Sequence, residues 1–405
     1  MAATDRSRPD TSSTVTALMT AALALPGAPA GAREPVSDLQ ADYRYSAYRE
    51  DALPDGAVQA GSTSRFEVDT HQLDLRLPLA APFGTGADLD VSLQHETMSG
   101  ASPWFVVPDA DDRPVQVMSG ATIQDEHDDI LARANFLGER RRVSVSAGFS
   151  EEKDYRAVNA GLEAGADFHD GLTTVEAGLG YSDDTIEPVD AERFPSRVRE
   201  ADKDSLTAFA GLSRVLDQQS TIQTSLSFTE NEGFLSDPYK QVYVGGEIRA
   251  DTRPERRRQG TWMLRYRRFV ARLKAALHAD YRYYLDDWGI HAHTLRLSWF
   301  QTLPGGWRVT PSVRYHSQSE ADFYAPFFES EPDDRLYTSD YRMSPFGAVS
   351  GRLRVDKAFG GLEISVSYEV YDSDPDLALG NVDVANPALV DFDVISASVK
   401  YRFDR

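Results

Sequence analysis

The chain has 405 residues, of which 41% are hydrophobic, and its formal net charge is −22. A soluble protein of this length would form about two or three domains. The strong negative charge would repel phosphates, which argues against nucleic acid as a partner. The chain has no cysteine, so disulfides, thiolate catalysis, cysteine-ligated metal clusters and c-type haem attachment are excluded.

The first segment has the features of an export signal. Arginines precede the apolar stretch 15–25, and small residues follow it at a position suited to cleavage. We interpret residues 1–32 as a Sec-type signal peptide and residues 33–405 as a single domain in the bacterial outer membrane. No run in the sequence reaches the roughly 18 apolar residues of a membrane helix.

The segments that follow alternate between apolar and polar residues. In residues 273–285 one face carries leucine, alanine and tyrosine without a charge, while the other carries lysine, histidine, aspartate and arginine. A period of two indicates a β-strand, and one apolar face with aromatics at its end is typical of a transmembrane barrel. Similar uncharged faces recur at 158–168, 175–181, 206–212, 222–228, 307–315, 362–370 and 395–403.

The connections between these segments alternate in length. Short turns are expected near 78–86, 138–141, 169–171, 217–219, 270–271, 303–306 and 357–361. Longer connections are expected near 49–64, 99–125, 182–203, 229–260, 318–343 and 372–391, with two short outer ones near 150–154 and 286–290. Outer-membrane barrels show this alternation, with turns in the periplasm and loops outside the cell.

We therefore predict an all-β fold, a transmembrane antiparallel up-and-down β-barrel of about 16 strands, with 14 and 18 strands left open. The first strand is expected at 39–47, and an even number of strands places both termini in the periplasm. The last strand, 395–403, is similar to the terminal signal that the barrel assembly machinery reads. That machinery, outer-membrane lipid and lipopolysaccharide are the expected partners.

Several loop segments carry a family resemblance. They are MSGASPWF (98–105), VQVMSGATIQD (115–125), DTIEPVDAERF (184–194), FLSDPYK (234–240), DTRP (251–254), ALHADYRYYLDDWGIHAHTL (276–295), RYHSQSEADFYAP (314–326) and SDYRMSP (339–345). Together they resemble a Gram-negative family known only as domain of unknown function three-five-seven-zero, over nearly the whole mature chain. The resemblance implies an outer-membrane β-barrel and supplies no catalytic residue.

The polar strand faces give candidate residues for the barrel lumen. Acids occur on the strands near 154–181, and bases predominate on the later strands. Opposed acidic and basic walls would set a transverse field across a water-filled pore, whereas the same charges could also pair and fill the interior. The lumen-lining candidates are Glu163, Asp167, Glu176, Arg265, Arg267, Arg272, Lys274, Arg282, Arg308, Arg314, Arg352 and Arg354.

The long outer loops combine acidic runs with aromatic residues. The acidic runs match no calcium-loop spacing, so solvated carboxylates are the simpler interpretation, and calcium binding stays open. The aromatics indicate a ligand-binding rim or a packed cap, and local packing is the simpler of these. The extracellular-loop candidates are Trp104, Phe105, Phe234, Tyr239, Phe323 and Tyr324.

His291 and His293 are weak candidates for a metal site, since two imidazoles on one strand face can share an ion. His316 on the next strand has the opposite parity, so the three are not expected to converge. The chain carries no hydrolase or phosphate-loop motif. No cofactor and no catalytic residue is predicted.

Three functions fit this reading of the sequence. The first is a channel or transporter for a small polar solute or ion. The second is a plugged barrel that serves as a scaffold or sleeve for a periplasmic or surface partner, in export or electron transfer. The third is an outer-membrane hydrolase. If the lumen conducts, its inward arginines are expected to favour anions.

Overall fold

The computed structural model describes residues 36–80, 86–119 and 123–403. The predicted signal peptide lies outside the described residues. Sixteen strands form a closed barrel. In chain order they are β1 (Gln40–Glu50), β2 (Glu67–Leu79), β3 (Ala87–Gly100), β4 (Ile123–Leu137), β5 (Arg141–Glu151), β6 (Tyr155–Phe168), β7 (Thr173–Ile186), β8 (Ala201–Asp217), β9 (Ser220–Gly233), β10 (Arg256–Val270), β11 (Ala275–Asp286), β12 (His291–Leu303), β13 (Trp307–Gln318), β14 (Phe346–Phe359), β15 (Leu362–Asp374) and β16 (Phe392–Arg402).

Each barrel strand pairs antiparallel with its neighbours along the chain, and β1 pairs with β16 to close the circle. The closing seam runs from Gln40 opposite Arg402 to Glu50 opposite Phe392. Closure leaves no free strand edge. The predicted all-β, up-and-down barrel of sixteen strands is confirmed. Among the described residues, no helix combines the length and the apolar character needed to cross a membrane.

The two faces of the barrel wall differ as a period of two predicts. Outward leucines remain exposed, with fractions of 51% for Leu162, 58% for Leu179 and 63% for Leu226. Inward positions are mostly polar or charged, and some, such as Asn135 and Asp356, are buried by neighbouring side chains. A soluble barrel would bury its large apolar residues. Here the large apolar residues face outward and the polar residues face inward, as expected for a barrel surrounded by a lipid bilayer.

Short turns join the strands at one end of the barrel, here called the turn end. The turn after β10 differs from the expectation because Ala271–Leu273 form a short 3-10 helix. Lys274 then adopts a left-handed conformation with φ of 50°, and its N–H donates to the Ala271 carbonyl. Strand β11 therefore begins at Ala275, and Leu273 belongs to the turn.

Longer connections join the strands at the other end, the loop end. They are loop 1 (51–66), loop 2 (101–122), loop 3 (152–154), loop 4 (187–200), loop 5 (234–255), loop 6 (287–290), loop 7 (319–345) and loop 8 (375–391). Loops 3 and 6 are short, as expected. Small sheets occur within the loops: Val58–Ala60 with Pro114–Met118 and Pro103–Pro108, and the hairpin Gln241–Val244 with Glu247–Ala250.

Candidate functional site

Inward acids on strands β6 and β7 have local partners. Arg133 lies 3.3 Å from Glu163, and Arg142 pairs with Glu176. Asp167 instead accepts a hydrogen bond of 2.6 Å from a threonine of β7. Arg133 and Arg142 are absent from the sequence-based candidates. The predicted acidic wall thus carries its own arginines and is largely neutral.

Part of the predicted basic wall is neutralised in the same way. Asp280 lies 3.9 Å from Arg265 and 2.6 Å from Arg267. Asp356 lies 2.9 Å from Arg308 and 2.6 Å from Arg354. Two carboxylates therefore form ion pairs with four of the candidate arginines. The net positive charge of this part of the wall is smaller than the sequence indicates.

Two of the lumen candidates do not lie on the barrel wall. Arg272 and Lys274 belong to the turn after β10, and both are exposed there at the turn end. In the sequence, the alternating pattern spans 273–285. In the structure, Leu273 ends a 3-10 helix, and the strand begins only at Ala275. The placement of Arg272 and Lys274 along the lumen is therefore corrected.

Five inward arginines between the two ends of the barrel wall make no ion pair within the part of the chain that the structure describes. We call them the arginine arc, and they are Arg44, Arg282, Arg296, Arg314 and Arg352. They lie on β1 and on β11 to β14, which belong to one run of seven consecutive strands around the barrel. The arc therefore occupies one side of the lumen.

The members of the arginine arc lie close enough to repel one another. Arg296 and Arg314 are directly opposite on β12 and β13, an arrangement that destabilises a sheet. Arg352 interacts electrostatically with Arg296 and Arg44, and with the carboxylate of Glu369. Ionisable groups at membrane depth are costly, and they commonly line ion or solute paths.

Strict strand parity finds all five members of the arc. Arg282, Arg314 and Arg352 are among the sequence-based candidates. Arg44 and Arg296 are not, although Arg296 stands between Leu295 and Leu297, both of which face outward and are exposed. The alternation therefore contained the signal for the whole arc.

The candidate metal-binding histidines lie on the outward face near the loop end. His293 Nδ1 is 2.8 Å from the Tyr281 hydroxyl, and His291 Nδ1 is 2.9 Å from the Tyr283 hydroxyl. His316 points inward and hydrogen-bonds with Thr294 over 2.9 Å. The three rings therefore do not converge, and the outward pair is engaged with tyrosines.

A buried polar chain inside the barrel has no counterpart in the sequence analysis. His127 Nε2 lies 2.7 Å from Ser150 Oγ, and His127 Nδ1 lies 3.5 Å from Glu96. Thr70 donates to the other oxygen of Glu96 over 3.0 Å. Serine, histidine and carboxylate in this order resemble a hydrolase triad. Ser150 is only 9% exposed.

The candidate loop aromatics pack at the loop end. Tyr239, Phe323 and Tyr324 are at most 9% exposed, whereas Trp104, Phe105 and Phe234 are half-buried. The Phe323 ring meets the Trp288 ring edge-on at 5.1 Å between centroids. These side chains contribute to a packed body made by the loops, which we call the cap.

Buried ion pairs join loops 5 and 7 within the cap. Arg253 lies 2.8 Å from Asp340, and Arg342 contacts both Asp340 and Asp237, the latter at 2.9 Å. Burial disfavours ionisation of Asp340, but Arg342, Lys240 and Arg253 outweigh it and hold the pKa of Asp340 well below 3.8. The cap core is therefore charged and internally compensated.

The cap extends across the mouth of the barrel. Lys240 of loop 5 donates to the Pro103 carbonyl of loop 2 over 2.6 Å, and Arg65 of loop 1 lies 5.6 Å from the centre of the Tyr341 ring of loop 7. Strand β4, which follows loop 2, and strand β9, which precedes loop 5, are five strand spacings apart, or about 24 Å along the wall. Loops this far apart can touch only by reaching over the opening.

Known structures with similar folds are outer-membrane proteins. CdiB from Acinetobacter baumannii gives a TM-score of 0.51 at 7% identity, over 91% of this chain and 60% of that one. A bacterial polysaccharide outer membrane secretin gives 0.44 at 10% identity, over 90% and 98% of the two chains. The siderophore receptor PirA from Pseudomonas aeruginosa gives 0.42 at 10% identity, over 84% and 57%. The chain spans less than two thirds of CdiB and of PirA, and these likenesses concern the fold alone.

No curated protein matches the chain in sequence. The family described as "Protein of unknown function (DUF3570)" matches residues 15–387. This is the family that the loop segments resemble, and the match covers most of the sequence. The chain therefore belongs to the DUF3570 family.

Proposed function

We propose that the protein is an outer-membrane channel for small anions, in which the cap limits access from the cell surface. The loop end faces outside and the turn end faces the periplasm, as in other barrels with long loops and short turns. The arginine arc is the observation that carries the proposal. It places five arginines along one side of the lumen, none of them in an ion pair within the described residues.

The arc can set selectivity although the whole chain is acidic. Fixed charges act at short range in a narrow aqueous path, and salt screens them over about 10 Å at 0.1 M. Carboxylates of the outer loops attract cations to the mouth, but the charges along the path decide which ions pass. Arg296 is exposed to the lumen, so a passing anion can reach its guanidinium.

Single-channel recording in a planar bilayer with a KCl gradient tests the proposal. Replacing Arg296, Arg314 and Arg352 with serine should shift the reversal potential toward potassium selectivity. The matched control is Arg133→Ser combined with Glu163→Gln, which removes a paired arginine without changing the net charge of the lumen. An unchanged reversal potential in a conducting triple variant would show that the arc does not line the path.

The packed cap supports the plugged-barrel alternative, in which the protein is a scaffold or sleeve for an envelope partner. The same recordings separate the two functions. A channel should conduct, and breaking the cap core with Asp340→Asn should increase its open time or conductance. A folded protein that remains silent with and without Asp340→Asn would reject the channel and favour the scaffold.

Hydrolysis is a second candidate because Ser150, His127 and Glu96 lie in triad order. A nucleophilic serine activated by histidine reacts with phosphonate reagents that mimic acyl substrates. Incubation of the folded protein with a fluorescent alkyl phosphonate should label the wild type and spare Ser150→Ala. Absence of labelling, also after Asp340→Asn loosens the cap, would reject this candidate and leave the three residues as a structural hydrogen-bond chain.

A further inference from the structure

Three carboxylates meet where loop 3 leaves the barrel wall. Asp125 lies near the loop end of β4, and Glu152 and Asp154 belong to loop 3. One oxygen from each side chain lies within 4.8 Å of the oxygens from the other two. Asp125 is 5% exposed and Asp154 is 2% exposed, so this cluster is built into the protein rather than displayed on its surface.

Asp154 supplies an independent sign of a missing ligand. Its Oδ2 accepts a hydrogen bond from the Tyr239 hydroxyl, but its Oδ1 is buried and has no hydrogen-bond partner in the described chain. A buried carboxylate oxygen without a partner is costly and rare.

A nearby arginine does not fill this role. Arg197 of loop 4 lies 4.7 Å from the centre of the Tyr239 ring and donates to the Val189 carbonyl over 2.9 Å. It makes no ion pair with Asp154 in the described residues. Within the described residues, Asp154 Oδ1 therefore keeps no hydrogen-bond partner.

We infer that Asp125, Glu152 and Asp154 bind a divalent cation of the calcium class. All three ligands are carboxylate oxygens, the type that Ca²⁺ prefers, and bonds of about 2.4 Å to one ion accommodate oxygens at this spacing. The ion would satisfy Asp154 Oδ1 and compensate the clustered negative charge. Water and backbone carbonyls complete the coordination of such ions in other proteins.

The cation would fasten the cap to the rim of the barrel. Asp154 is contacted by Tyr239 of loop 5, and its carbonyl accepts a hydrogen bond of 2.8 Å from the N–H of Glu187 at the start of loop 4. Asp125 stands where β4 follows loop 2. One ion would therefore join the start of β4 to loop 3, and loops 4 and 5 contact the same part of loop 3 through Asp154. This role is independent of whether the lumen conducts.

Calcium titration of the purified, folded protein tests this inference. Equilibrium dialysis against ⁴⁵CaCl₂ should find one tight site, and calcium should slow proteolysis of loop 5. Tb³⁺ should replace calcium and show luminescence excited through tyrosine, because Tyr239 contacts a ligand. Asp154→Asn keeps the shape of the side chain and should weaken binding of both ions at least tenfold.

Two further variants keep the test decisive. Glu152→Gln changes a half-buried ligand and should weaken binding as well if Asp154→Asn does not fold. Asp333→Asn removes a carboxylate from an exposed run in loop 7 and should leave the tight site unchanged. The inference is overturned if wild type and the ligand variants bind calcium equally, or if all binding is weak and falls as much with Asp333→Asn.

Discussion

The barrel wall and the cap of this protein are stabilised in different ways. In the wall, every strand shares backbone hydrogen bonds with its neighbours, and the side chains need mainly the correct polarity on each face. In the cap, irregular loops are joined by buried charges, such as Arg253 of loop 5 and Asp340 of loop 7, which lie 2.8 Å apart with side chains 6% and 0% exposed. The wall should therefore tolerate changes that keep polarity, whereas the cap should not tolerate loss of one charge.

The largest effect is expected from Asp340→Ala in the cap. The change leaves Arg253 and Arg342 buried with one fewer carboxylate, and removing one partner of a buried pair costs about 3–5 kcal/mol. Hydrogen exchange should rise in loops 5 and 7 while the barrel strands stay protected. Asp333→Ala, in an exposed part of loop 7, is the control. Faster exchange throughout the barrel would contradict the separation between wall and cap.

A smaller loss of stability is expected when a charged residue replaces an apolar one on the outward face of the barrel wall. Leu179 faces outward in the middle of β7, and Leu179→Arg should cost about 2–4 kcal/mol because hydrocarbon cannot hydrate a guanidinium. Gly180 faces the lumen, where an added Cβ would meet only the Ala160 carbonyl at 3.9 Å, so Gly180→Arg should cost much less. Urea unfolding in lipid vesicles measures both. Equal losses would mean that the outward face does not meet lipid.

The smallest effect concerns acid. Asp340 has a pKa held below its usual 3.8, so it contributes stability at neutral pH that is lost as pH falls below about 4. The loss is about 1 kcal/mol for the first pH unit below 3.8. Asp237 acts in the same direction, whereas burial raises the pKa of Asp251 and opposes it. Proteolysis of the loops should increase at pH 3 but not between pH 6 and 8. Equal resistance of the loops to protease at pH 3 and at pH 7 would contradict this prediction.

The barrel could be predicted because its signal is local. Alternation along each strand, and the lengths of the connections, need no knowledge of which residues meet. The prediction from alternation was wrong at Leu273 and Lys274. Their residue types continue the alternation of β11, but both residues belong to the turn before that strand. The sequence predicts a turn near 270–271 but gives no sign that it extends to Lys274, because the left-handed conformation falls on a lysine rather than on glycine.

The site could be predicted only in part because pairing depends on register. Arg142 neutralises Glu176 from a strand two positions away in the barrel, and no periodic pattern reveals that contact. The carboxylates of Asp125 on β4 and Asp154 in loop 3 meet only in the folded chain. Residue type therefore identified the charged residues that could line the lumen. Strand register determines which of them lack an ion pair in the fold.

The cap contacts also bear on the order of events during folding. Arg65 donates to the Ala388 carbonyl over 3.1 Å, across 323 residues of chain, and these residues flank the seam between β1 and β16. Contacts of such long sequence separation have a high loop-closure cost, and they form late. The contact between loops 1 and 8 can form only on a barrel whose ends have met. A chain caught with its seam unpaired would leave these two loops apart, so their sensitivity to protease reports whether insertion has been completed.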